Sequence, residues 1–247
     1  MSKDKQPNCN QAPVAIVTGG NSGIGEAIAR MLGQRGYRVV VAGRREDENQ
    51  RVARDIDEAG PGSGIPVVAD VSEEKDCLEL VQGTLEREGQ LDLLVNNAGI
   101  GGMGPIVETD TKTFDQVMKT NLYSAYWCSR EAFRWMKDRQ PASFEQLNGS
   151  IINISSVCGV DAWSGTGIYA ASKHGMIGLS RALADEGGEA GIRVAAICPA
   201  MVATPMTEVS GPEYIQPEDI ATSVGYLLDL SPAAWPRELV APRRGAN

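Results

Sequence analysis

Along this chain the hydrophobic positions switch repeatedly between a run-like pattern and a helical one. Val14 to Thr18 is a short apolar run rich in β-branched residues, which predicts a strand buried on both faces. Ile24, Ala27, Ile28, Met31 and Leu32 then share one face at helical spacing, predicting a helix from Ile24 to about Gln34 that Gly36 stops. The couplet recurs. Further strands are predicted at Tyr37 to Ala42, Ile65 to Ala69, Leu91 to Val95, Ser150 to Ile154, Arg193 to Ile197 and Glu238 to Ala241. The intervening helices are Glu46 to Glu58, Ser72 to Glu88, Thr111 to Lys137, Gly167 to Glu186 and Pro217 to Leu230, with Ser72 read as an N-cap. Gly60 to Gly64 reads as a loop. Strands alternating with helices predict an α/β fold: one doubly wound parallel sheet of about seven strands with helices on both faces. No repeat or linker divides the chain, so residues 13–247 read as a single domain behind a flexible tail over residues 1–12.

Composition narrows the partners. A formal charge of -9 argues against nucleic acid and anionic membrane surfaces, because phosphate binding needs a cationic face. Met1 to Ala12 lacks the apolar core of a signal peptide, and no apolar run is long enough to span a bilayer. A cytoplasmic location is expected on these grounds. Cys9, Cys77, Cys128, Cys158 and Cys198 are scattered, which predicts reduced thiols rather than a disulfide framework or zinc site. With His174 the single histidine, no multi-histidine metal centre is expected.

Thr18-Gly19-Gly20-Asn21-Ser22-Gly23-Ile24-Gly25 joins a strand to a helix. There a pyrophosphate meets free backbone N–H groups, and glycine lets the backbone turn and approach it closely. This octapeptide resembles the TGxxxGIG motif of the short-chain dehydrogenase/reductase family, and the resemblance runs through nearly the whole chain. Asp70-Val71 matches the family's adenine-contacting pair, and Asn96-Asn97-Ala98-Gly99 its NNAG motif. Asn121, Ser156, Tyr169 and Lys173 match the catalytic tetrad in order and spacing. The resemblance implies a Rossmann-type sheet and a nicotinamide dinucleotide held by Gly19, Asn21, Ser22, Gly23, Ile24, Gly25, Asp70, Val71, Asn97, Ala98 and Gly99. Tyr169, Lys173, Pro199, Val202 and Thr204 complete the implied cofactor contacts.

The second strand ends Val41-Ala42-Gly43-Arg44-Arg45. NAD users carry an acid about where Gly43 stands, whereas a guanidinium such as that of Arg44 can bind the 2′-phosphate of NADP bidentately. NADP is therefore expected, with NAD as the alternative, since Asn21 and Ser22 stand where many NADP-using members have a second basic residue.

Tyr169 and Lys173 lie four apart on a predicted helix and share a face. A phenol titrates near pH 10, and lowering it by about three units needs roughly 4 kcal/mol of anion stabilisation. One cation at about 4 Å supplies roughly that at an intermediate dielectric. Lys173, helped by an oxidised nicotinamide, is thus sufficient to make Tyr169 the general acid/base. The family spacing selects Ser156 over Ser155 to hold the substrate oxygen. Asn121 reads either as a satisfied core amide or, by resemblance, as the residue that interrupts its helix and anchors a proton-relay water. His174 points about 100° from Lys173 around the helix and is read as structural.

Three features depart from the family. Pro199-Ala200 replaces Pro-Gly, the loop from Thr204 to Pro217 is short, and the C-terminus lacks a glycine-rich ending. Gly187-Gly188 is odd for a helix end. A homodimer on the long helices or a homotetramer is expected. The expected substrate is a small carbonyl compound or alcohol, with Met103, Trp163, Met201 and Met206 in segments bordering the pocket. Two rivals are a 3-oxoacyl-thioester reductase, disfavoured by Asp185, Glu186 and Glu189 near the active-site helix, and a non-catalytic NADP-binding sensor. An epimerase or dehydratase fits the chain length and glycine spacing less well.

Overall fold

The computed structural model describes residues 12–139 and 146–245. Apart from Ala12, the expected tail over residues 1–12 lies outside them, as does Cys9.

Seven strands form one parallel sheet: β1 Val14–Thr18, β2 Arg38–Gly43, β3 Ser63–Val68, β4 Leu93–Asn96, β5 Gly149–Ile154, β6 Ile192–Pro199 and β7 Glu238–Ala241. Their order is β3-β2-β1-β4-β5-β6-β7, so the winding reverses between β1 and β4. Ligands of such sheets bind in the crevice beyond the strand C-termini at that reversal. The helices are α1 Gly23–Gln34, α2 Glu46–Ala59, α3 Glu74–Glu88, α4 Thr111–Met118, α5 Ser124–Lys137, α6 Gly167–Gly187 and α7 Pro217–Asp229.

The period-two geometry of the strands builds two cores. In β1, Ala15 and Val17 join the layer under α1, α2 and α7, while Val14 and Ile16 join the layer under α3, α5 and α6. Both faces are covered, which is why the strands read as unbroken apolar runs. Among the described residues no helix is long and apolar enough to cross a membrane.

Several sequence expectations shift. The region read as a loop over Gly60 to Gly64 already contains the start of β3 at Ser63, paired with Arg38. Glycine permits this, because a Cβ at Gly62 would collide with the Gly33 carbonyl and one at Gly64 with the backbone of Ala53. Ser72 is not an N-cap. The helix starts two residues later, and the Ser72 hydroxyl donates instead to Asp70 Oδ1 at 2.8 Å. The helix expected from Thr111 to Lys137 is broken by a π-helical turn at Lys119–Tyr123 that contains Asn121. Such widened turns concentrate at functional sites. Gly187 has a packing reason: a Cβ there would lie 2.9 Å from the Ile192 carbonyl oxygen and 3.1 Å from the Phe133 ring.

Candidate active site

At the reversal between β1 and β4 the glycine-rich turn is shaped by what surrounds it. Gly19 (φ 62°) and Gly23 (φ 53°) hold left-handed conformations that side chains disfavour. A Cβ at Gly19 would lie 3.0 Å from Asn97 Nδ2, and one at Gly25 would collide with the Gly19 carbonyl. Asn97 Nδ2 donates to the carbonyls of Thr18 (3.0 Å) and Gly19 (3.2 Å), stapling the turn from below. Ser22 at the α1 N-cap makes no side-chain cap, so the first N–H groups of that helix face the crevice without an internal acceptor.

Two cavities sharing Gly19, Ser22, Ala98 and Gly99 run along this turn. One, of about 220 Å³, is lined by Asn21, Arg44, Asp70 and Val71 among others. The other, of about 190 Å³, holds Gly23, Ile24, Asn97, Pro199, Val202 and Thr204 together with Ser156, Tyr169 and Lys173. Gly25 and Asn121 line neither. Gly25 packs α1 against the turn, and Asn121 stands behind Gly99.

Asn121 is wholly enclosed and uses its whole amide. Its Oδ1 accepts from the Ile100 N–H (2.8 Å), and its Nδ2 donates to the Ile100 carbonyl (3.0 Å) and Ser172 Oγ (3.1 Å). The segment after β4 is thereby tied to the helix carrying Lys173. The Lys173 ammonium is fully buried and donates to the Ile154 carbonyl at 2.8 Å. Burial pushes its pKa from the ordinary 10.5 down to about 8, an effect only partly offset by the thiols of Cys198 and Cys158. Tyr169 is pushed up to about 12, chiefly by burial and against the pull of the Ser156 hydroxyl beside it. Lys173 Nζ lies 5.7 Å from the centre of the Tyr169 ring. In the protein alone burial is the largest influence on this phenol and acts to raise it, opposite to the lowering expected from Lys173.

Ser155 and Ser156 both line the cavity, but the Ser155 hydroxyl donates to the Lys173 carbonyl at 3.2 Å, whereas Ser156 Oγ accepts from the Cys158 N–H at 3.1 Å. His174 is exposed, with Nδ1 3.0 Å from the Ala170 carbonyl. Ala200 donates its N–H to the Ala241 carbonyl at 2.9 Å. Among the described residues Glu208 is the single non-glycine with positive φ, so the turn after Pro199 does not require glycine.

The sequence reading missed Thr18 and Asn49. Thr18 Oγ1 accepts from the N–H groups of Asn97 (3.0 Å) and Ala98 (3.1 Å), joining the ends of β1 and β4. Asn49 is wholly buried. Its Nδ2 donates to the carbonyls of Gly43 and Val67, both at 2.8 Å, and its Oδ1 accepts from Asn21 Nδ2 at 2.7 Å. One amide thus locks the ends of β2 and β3 to the glycine-rich turn. Its signal was present: Asn49 is the polar member of the buried stripe Asn49, Val52, Ala53, Ile56 on α2. A Cβ at Gly43 would collide with the Asn21 amide in this lock. Beside it, Arg30 and Arg51 are taken by Glu26 and Asp55, while the Arg44 guanidinium makes no hydrogen bond or ion pair among the described residues.

A measurable consequence attaches to Lys173. Between pH 8 and 10.5 the unfolded chain holds a proton on this lysine that the folded chain lacks, so stability rises with pH across that window. The full penalty of the buried charge is present below pH 8. Urea unfolding should show the parent gaining about 2 kcal/mol on Lys173→Met between pH 7.5 and 9.5. A constant difference would show that burial does not depress this lysine.

The sheet order, the cradle at its reversal and the cavity beyond it define a dinucleotide-binding α/β protein. The chain belongs to the short chain dehydrogenase family, whose sequence pattern it matches over residues 13–214. It is 39% identical over 198 residues to a 3beta-hydroxysteroid dehydrogenase of Mediterraneibacter gnavus, spanning 80% of this chain and 68% of that protein. It is 34% identical over 221 residues to a bovine (Bos taurus) 3-oxoacyl-[acyl-carrier-protein] reductase, spanning 90% of this chain and 89% of that one. A metagenomic short-chain oxidoreductase solved in complex with NADP superposes with a TM-score of 0.81 at 32% identity, covering 95% of this chain and 98% of that one.

Proposed function

We propose that the protein transfers a hydride between NADP(H) and a carbonyl or alcohol substrate, with Tyr169 as general acid/base. The observation that carries this is the convergence of Ser156, Tyr169 and Lys173 on one cavity continuous with the glycine-rich cradle. The cradle fits a dinucleotide: its glycines hold turns and close approaches that a Cβ would strain, the N–H groups of α1 face it, and Arg44, unpaired among the described residues, stands at its far end. Gly19, Ser22, Gly23 and Ile24 would hold the pyrophosphate, Asp70 and Val71 the adenosine, and Arg44 the 2′-phosphate. Lys173, Pro199, Val202 and Thr204 would hold the nicotinamide half.

When bound, the dinucleotide supplies or accepts the hydride. In reduction the C=O π bond opens, a C–H bond forms with that hydride and an O–H bond with the proton of Tyr169, so the ketone is reduced and the dinucleotide oxidised. Ser156 holds the substrate oxygen beside the Tyr169 hydroxyl. Asn121 fixes the wall through Ile100 and the helix through Ser172.

Purified protein should oxidise NADPH in the presence of ketones, followed as loss of reduced-nicotinamide absorbance. Arg44→Asp should raise the KM for NADPH about 10- to 100-fold, the worth of a charge-assisted contact replaced by repulsion. Unchanged NADPH affinity in that variant would remove Arg44 from the 2′-phosphate site. Tight NADPH binding without turnover across a broad panel of ketones, aldehydes and alcohols would favour the sensor reading. The 3-oxoacyl reductase reading draws on the similarity to the bovine enzyme.

A further inference from the structure

Three loops surround the mouth of the cavity that holds Tyr169, following β4, β5 and β6. The first lies over the start of α6: the Gly104 N–H donates to the Gly165 carbonyl at 2.8 Å, and Ile106 Cδ1 lies 2.7 Å from where a Cβ on Gly167 would be. Gly167 and Ile168 directly precede Tyr169. The second is braced by Thr166, whose hydroxyl donates to the Trp163 carbonyl at 2.8 Å. The third brings Ala200, Pro205 and Met206 into the cavity wall with Ser156 and Tyr169.

These loops display large apolar side chains to solvent. Met103, Ile106, Val107, Trp163, Met201 and Met206 are between 49% and 94% exposed. Scattered exposed residues are ordinary, but these six stand on the three loops that adjoin the cavity, and Met206 lies in its wall, which marks a binding surface. Charge sharpens the picture. Residues 99–110, 155–168 and 199–215 contain Glu108, Asp110, Asp161, Glu208 and Glu213 and no lysine or arginine. The cation inside the cavity, Lys173, is enclosed and bonded to Ile154. From outside these segments, Arg243 stacks on Tyr214 of the third loop, 5.1 Å from the centre of its ring.

We infer that the substrate is a neutral, bulky, apolar ketone or secondary alcohol whose hydrocarbon surface lies on this rim while its oxygen reaches Ser156 and Tyr169. The inference rests on the oxidoreductase reading above and supplies its substrate class. A carboxylate, a coenzyme A thioester or an acidic carrier protein would bring negative charge to loops that carry five carboxylates and no lysine or arginine of their own. An apolar body gains by covering the six side chains, and the gain grows with its buried area.

The test compares trans-1-decalone, cyclohexanone, acetoacetate and acetoacetyl-coenzyme A as substrates of the full chain with NADPH. The kcat/KM for decalone should exceed that for cyclohexanone by about tenfold and that for the thioester by about a hundredfold. Trp163→Glu and Met206→Glu should each raise the KM for decalone about tenfold and lower the preference for decalone over cyclohexanone. The inference is overturned if acetoacetate or the thioester matches decalone, or if both variants leave the decalone KM unchanged. It is also overturned if the variants instead change the molar mass in light scattering, which would make the rim a contact between copies. Turnover of the thioester alone would spare the oxidoreductase reading; turnover of none of the four would overturn both.

Discussion

Tyr169→Phe is expected to lose about 10³-fold in turnover while binding NADPH as the parent does, the scale set by removing a positioned general acid. The phenyl ring keeps the shape of the cavity wall, and the cradle at the glycine-rich turn shares no hydrogen bond with the lost hydroxyl. Stopped-flow reduction and a fluorescence titration with NADPH separate the two quantities. Retention of a tenth of the parent rate would remove Tyr169 from the proton transfer. The pH profile of the parent follows from the raised phenol. With Tyr169 pushed up to about 12, its proton is present throughout the neutral range, so ketone reduction should be nearly flat between pH 6 and 8. Alcohol oxidation needs the phenolate, whose fraction grows tenfold per pH unit below the pKa, so its rate should climb with a slope near one over the same range.

Gly43→Asp, which places an acid where NAD users carry one, is expected not to convert this protein to NADH. The new Cβ would strike the Asn21 amide and lie 2.9 Å from Asn49 Oδ1, setting the carboxylate against an acceptor and breaking the lock that carries Arg44. Activity with NADPH should fall about 100-fold, with little gain with NADH. Adding Asn21→Ala and Asn49→Ala clears the space, and NADH use should then rise about tenfold over the single variant. Asn49→Leu alone leaves the carbonyls of Gly43 and Val67 without their donor and should lower stability by about 2 kcal/mol. Steady-state kinetics with both cofactors tests the pair; a Gly43→Asp protein that prefers NADH would show that the lock yields freely.

The sequence by itself determined the order of the seven strands and of the α-helices between them, though not the π-helical turn that divides Thr111–Lys137, because apolar runs and helical stripes report local geometry and two-sided burial directly. It also placed the glycine-rich turn, since strand, glycines and helix are contiguous there. Tyr169 and Lys173 were legible for the same reason, four residues apart on one helix. What adjoins them across the fold was not. The tertiary structure alone decided that Asn97 and Thr18, 79 residues apart, close the cradle, and that Asn49 joins the glycine-rich turn to β2 and β3. It decided that β3 begins inside a glycine-rich stretch, because strand pairing there depends on how closely α1 and α2 approach. It also set the ionisation of the site. Spacing gives the distance between a phenol and an ammonium, but the water taken from both depends on everything packed around them, and here that loss is the largest influence on each.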